Sequence, residues 1–268
     1  MVSERRSPLV LAAERVRALL ADYDPPDFAH VPDPDAAIFL CAVDHKTGYS
    51  ESHSVDGEDL EGSELMWVLG LRSAAREPGL LTAGRLREVS GEDIARWFEV
   101  GGETVADPDR RASLWGELAA GLIRDHDGSA QPLLDACGGT LAGRNGLVSQ
   151  LARYKAYSDP LAKKAFLFAK ICERRGWLAV RDPDSWEVAA DNVLMRLALR
   201  SGLVEPGPLA DVRSATRAAM KALAAAAEIS PPVLDDMLWE LGRDDPDLLG
   251  REAGELTEPP RNPESAWY

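Results

Sequence analysis

Three short stretches of the chain carry ionisable and aromatic side chains at helical spacing. In residues 159–170 (DPLAKKAFLFAK), Lys164 and Phe168 are four apart and so share a helical face. This spacing fits an amphipathic helix with Phe168 in the core and the lysines in water, and it also fits an amine held against an apolar wall. In residues 186–202 (WEVAADNVLMRLALRSG), Asp191 precedes a run of good helix formers that Gly202 stops. Its carboxylate can simply accept the N–H groups of the first turn. A carboxylate held there is also oriented and kept ionised by the helix field, and can stabilise a developing cation or activate water. In residues 229–242 (ISPPVLDDMLWELG), Ser230 and Pro231 start a helix that Gly242 ends. Asp235 and Trp239 share one of its faces, where an aromatic plane can stack on a base and the carboxylate can accept ring N–H hydrogens. A buried Trp with a solvated Asp is the plainer alternative.

The elements that must position these residues read as helix after helix. Alanine, leucine, glutamate and arginine dominate, and these side chains lose little rotamer freedom in a helix. The patterning predicts helices over residues 8–23, 63–76, 107–124, 131–136 and 147–157. Further ones are expected from Asp159-Pro160 to Arg174 and over 192–201, 209–228 and 231–241, and Ser90-Gly91-Glu92-Asp93 caps one carrying Ile94, Trp97 and Phe98. The wholly apolar run 36–43 (AAIFLCAV) is the best strand candidate, and the polar, glycine-bearing stretch after it suits a hairpin or a long loop. The expected fold is mainly α with a short strand or hairpin near the N-terminus. Residues 1–256 form either one helical domain or two sub-domains flanking a cleft, and the proline-rich 257–268 form an extended tail.

Charge narrows the partners. A formal net charge of −15 repels duplex DNA and anionic membranes on average. Residues 151–175 run against that average, with Arg153, Lys155, Lys163, Lys164, Lys170, Arg174 and Arg175 facing only Asp159 and Glu173. A basic patch on an acidic body suits a small anion such as a phosphate. The cysteines (Cys41, Cys137, Cys172) are odd in number and lie in apolar stretches, which reads as buried thiols in a reducing compartment. No CxxC or HExxH occurs, so no metal or other cofactor is expected. Glu14, Arg15 and Arg17 interrupt the first apolar run, which excludes a signal peptide or membrane span there and points to the cytoplasm.

Taken in order, Lys-x-x-x-Phe, Ala-Asp at a helix start and Asp-x-x-Leu-Trp resemble the helix-hairpin-helix glycosylase superfamily. Residues 163–243 (KKAFLFAKI, ADNVLMRLALRSGLV, ISPPVLDDMLWELGR) are similar to the archaeal 8-oxoguanine DNA glycosylases. The queuosine salvage family, whose members cleave the base from a queuine nucleoside or its 5′-phosphate, looks similar over more of the chain. That likeness starts at residues 36–43 with Asp44 and Tyr49, and continues through 62–75, 86–98, Gly138-Gly139 and SQLARYKAYSDPLAKK. It closes on Ala190-Asp191 and Asp235…Trp239.

The resemblance implies a helix-hairpin-helix, glycosylase-like fold with Asp191 as the catalytic aspartate near the anomeric carbon. It implies Phe168 and Trp239 as walls around the base, with Asp235 on its polar edge. Lys164 matches the lysine that forms a Schiff base in the DNA glycosylase branch; in the salvage branch a basic residue there faces phosphate or ribose. Asp44 and Tyr49 match a salvage-branch segment near the base. The chain also departs from these families. Tyr157-Ser158-Asp159-Pro160 stands where many members carry a glycine-bearing DNA-gripping hairpin. The segment DHKTGYS is less aromatic than its salvage counterpart, and Asn192-Val193 replace a Tyr-Arg pair. The expected activity is hydrolysis of the base–ribose bond in a modified, queuosine-like nucleoside or nucleoside 5′-phosphate. The alternatives are an 8-oxoguanine-type DNA glycosylase using Lys164, and a non-catalytic nucleoside-binding protein.

Overall fold

In the computed structural model, which describes residues 7–251, 262 and 265–267, helices carry nearly all the regular structure. They are α1 (Pro8–Leu20), α2 (Pro34–Val43), α3 (Gly62–Arg76), α4 (Ala83–Leu86), α5 (Gly91–Trp97) and α6 (Pro108–Asp125). There follow α7 (Ala130–Cys137), α8 (Leu147–Leu151), α9 (Lys163–Arg174), α10 (Asn192–Arg200), α11 (Leu209–Ala227) and α12 (Pro231–Asp244). The one sheet among the described residues pairs β1 (His53–Val55) antiparallel with β2 (Glu58–Leu60). Asp56 and Gly57 turn the corner at positive φ, the Asp-Gly chemistry that a tight hairpin demands. The fold is thus mainly α with a short hairpin, and the hairpin lies in the polar stretch where it is expected. The expectation of an extended tail over 257–268 falls largely outside the described residues.

Two compact units make up the chain: residues 28–183, joined by 266 and 267, form a continuous one, and residues 7–27 with 184–251 form a split one. In the continuous unit α2 packs against α3, α6, α7 and α9. The apolar run 36–43 is therefore a helix rather than the strand its composition suggests. Every residue from Ala36 to Val43 is buried at 2% exposure or less, so no polar face remains to reveal the helical period. Asp33 caps it, accepting from Ala36 N at 2.8 Å, and Pro34 opens its first turn. Burial of Ile38, Phe39 and Leu40 contributes roughly 1.5–3 kcal/mol each. Donors from neighbouring elements also reach its carbonyls: Trp115 Nε1 donates to Phe39 O at 2.6 Å and Tyr157 hydroxyl to Ile38 O at 2.5 Å.

One helix start and two helix ends differ from expectation. Asp159-Pro160 does not begin α9. Asp159 instead accepts from Leu161 N and Lys163 N, and Ala162 at φ 53° turns the chain into a helix that starts at Lys163. The predicted helix over 147–157 stops at Leu151, and a single 3₁₀ turn (Lys155–Tyr157) follows, which buries Tyr157 and lets its hydroxyl reach α2. In the split unit α12 runs past Gly242 to Asp244. Gly242 is a packing residue rather than a stop: a Cβ there would meet Leu197 Cδ1 of α10 at 2.6 Å. Around that contact α1 packs on α11, and α10, α11 and α12 pack on one another. Val16, Leu194, Leu197, Met220, Leu223, Leu234 and Met237 are fully buried between them.

Candidate functional site

In each unit, residues singled out in the sequence gather with other polar side chains at a helix end. In the continuous unit the group gathers where α2 stops. The last carbonyls of a helix have no intrahelical partner, and those of α2 are buried away from water. No basic residue occupies the last turn of α2. Cations from other helices supply the donors. Lys164 of α9 donates from Nζ to Ala42 O at 2.6 Å. Arg111 of α6 donates to Val43 O, to His45 O at 2.5 Å, to Lys46 O at 3.0 Å and to Ala106 O at 2.7 Å. Both are 1% exposed, and the negative end of a helix is where such charges are stabilised.

Lys164 Nζ also lies 3.1 Å from His45 Nδ1. Burial, opposed by the Asp44 carboxylate and reinforced by the Lys163 and Arg111 cations, brings the Lys164 ammonium down to about 7. His45 is pushed far below its ordinary value, chiefly by burial and then by the cations of Lys164, Arg111, Arg110 and Lys163, so its ring is neutral. Asp44, 7% exposed, accepts from Ser63 Oγ at 2.7 Å. A neutral imidazole, a carboxylate and an amine near half-protonation at neutral pH thus adjoin one helix end. Such a set can exchange protons or present a nucleophilic amine.

In the split unit the group gathers where α10 starts. Asp191 is its N-cap: Oδ1 accepts from Leu194 N at 2.9 Å, and the residue is 8% exposed. Asp235 of α12 reaches back to the segment before it, accepting from Ala189 N at 3.1 Å. Arg213 of α11, 5% exposed, donates to Ala190 O at 3.4 Å. The backbone on the N-terminal side of Asp191 is thus tied to two helices, and the carboxylate is held by a third. Trp239 is half-buried against the core of this unit, and the Arg243 guanidinium lies 4.4 Å from its ring centroid.

The residues singled out in the sequence therefore divide. Asp191, Asp235 and Trp239 belong to the split unit; Lys164, Phe168, Asp44 and Tyr49 belong to the continuous one. Asp191 and Asp235 come together through the Ala189 backbone, and Asp235 braces the loop before Asp191. Lys164 and Asp44 come together at the end of α2. Lys164 does not go into water. Phe168 is fully buried, so its ring packs in the core and presents no face to solvent. The Tyr49 hydroxyl donates to Phe98 O at 2.8 Å and pins a loop. Sequence reasoning missed His45, Arg111 and Ser63. The adjacency of His45 to Asp44 hinted at the first; nothing local marks the others, which act across 66 and 19 residues.

No group of three or more His, Cys, Asp or Glu among the described residues is arranged to hold a metal ion. No helix among them is long and apolar enough to cross a membrane. No family model matches the chain, and no curated protein matches it either.

Proposed function

We propose that the chain is a cytoplasmic hydrolase of N-glycosidic bonds, releasing the base from a modified, 7-deazaguanine-type nucleoside or nucleoside 5′-phosphate. The observation that carries this reading is Asp191: a nearly buried carboxylate at the first turn of α10, oriented by Leu194 N on a segment that Asp235 and Arg213 tie down. Breaking the base–ribose bond develops positive charge on the sugar ring. A pre-oriented carboxylate stabilises that charge better than one that must reorganise, and it can also align the attacking water. In this scheme Asp235 maintains the position of Asp191, and the half-buried Trp239 ring offers a surface on which the leaving base stacks.

The test is a chromatographic screen for base release from free nucleosides, their 5′-phosphates and deazaguanosine analogues. Free base and the matching sugar product are expected from at least one deazaguanine substrate. Ligand-induced thermal stabilisation without any product would instead favour a nucleoside-binding protein.

One observation favours a second reading, a DNA glycosylase with lyase chemistry at Lys164. An amine brought down to about 7 by burial is substantially neutral at physiological pH and can attack a sugar aldehyde. Borohydride trapping on lesion-bearing DNA decides between them: an adduct that disappears in Lys164→Ala supports the second reading. The charge of −15 weighs against it.

A further inference from the structure

The end of α2 contains a contact that neither reading uses. Lys164 and His45 are 1% and 4% exposed, and their Nζ and Nδ1 atoms are 3.1 Å apart. An ammonium only donates, so with Lys164 charged Nδ1 is the acceptor, and a neutral imidazole that accepts at Nδ1 carries its hydrogen on Nε2. That Nε2 atom is buried and has no hydrogen-bond partner among the described residues. The amine has a second acceptor in Ala42 O at 2.6 Å.

We propose that His45 is the positioning residue of Lys164: its Nδ1 takes a hydrogen from the amine, fixes Nζ at the end of α2, and leaves the imidazole hydrogen on Nε2. A neutral amine has two hydrogens and one lone pair. Ala42 O and His45 Nδ1 match those hydrogens one for one, so the lone pair has a single remaining direction. Both hydrogens of the neutral form are thereby bonded in a buried place while its lone pair stays available, which suits an amine that must act as base or nucleophile. Other groups bearing on the pair are Asp44 beside α2, Cys41 within it, Arg110 and Arg111 of α6 and Lys163 of α9. Among the described residues Nζ reaches Ala42 O and His45 Nδ1, so His45 is its side-chain acceptor. This assignment stands apart from any choice of substrate.

Nuclear magnetic resonance of the full chain tests it without a ligand. In ¹⁵N-histidine spectra, His45 of the wild type should show a protonated Nε2 and a bare Nδ1, staying neutral well below the usual imidazole midpoint of about 6.5. With ¹³C-labelled lysine, the signal lost in Lys164→Met should titrate far below the ordinary lysine value of about 10.4. In His45→Leu the ammonium loses an acceptor, so that midpoint should fall by about one pH unit. In His45→Asn, whose side-chain oxygen lies near the position of Nδ1, it should return toward the wild-type value. An Nδ1-protonated His45 would overturn the proposal. So would a Lys164 midpoint unmoved in His45→Leu, or one that His45→Asn restores no better than leucine does. Should His45→Leu not fold, the wild-type tautomer decides the matter by itself.

Discussion

At Asp191 two properties coincide that mutation can separate. As the N-cap of α10 it satisfies Leu194 N, a role asparagine fills about as well as aspartate. Alanine does not, so Asp191→Ala should lower unfolding free energy by roughly 1 kcal/mol in urea titrations, whereas Asp191→Asn should stay within about 0.5 kcal/mol. The capping role was legible, because Ala-Asp stands before a run of good helix formers. The brace was not: Asp235 reaches Ala189 across 46 residues, and no local pattern encodes that. The four-residue spacing to Phe168 set Lys164 apart from Lys163 but equally fitted a lysine in water; α9 leaves Lys163 half-buried and turns Lys164 fully inward.

Among the elements, α2 shows where pattern reading fails and why. A helix covered on every side has no amphipathic period, so its apolar run read as a strand. The overlooked signal was Asp33-Pro34, a cap followed by proline in the first turn. The capping box of α5, with Ser90 and Asp93 bonded reciprocally, was by contrast read directly. Because α2 depends on borrowed donors, Arg111→Met should cost about 3 kcal/mol or more, leaving buried carbonyls unpaired. Loss of the urea midpoint without a change of slope would be the expected sign. Lys164 gives the same helix end a pH dependence. Its folded value is about 7 against about 10.4 unfolded. Below the folded value both states are charged and the burial penalty is complete; above it the folded amine sheds its proton first. Stability from this group therefore rises with pH from about 7 upward. Buried Cys172 and Tyr157, both raised, act the other way at higher pH. The wild type should thus gain on Lys164→Met between about pH 6.5 and 8.5, read as the difference in their unfolding free energies. A constant difference would contradict the buried-amine assignment.

For the molecule as a whole, chain order and spatial order differ. The N-terminal α1 folds with elements that follow residue 183, burying Ala12, Ala13 and Val16 in the core of the split unit. Removing residues 1–27 should therefore expose residues 184–251 to limited proteolysis while the continuous unit keeps its own protected fragment. Equal protection of both would show that α1 is dispensable. Helix content followed from composition, but the pairing of α1 with α11 joins segments some two hundred residues apart and left no trace in local patterning. The most direct test of the glycosidase reading is base release by purified wild type and Asp191→Asn from a deazaguanine nucleoside or its 5′-phosphate. The reading predicts that the asparagine variant melts like the wild type and loses activity by about 100-fold or more. Near-normal release by a folded Asp191→Asn would contradict it and leave Asp191 a helix cap alone.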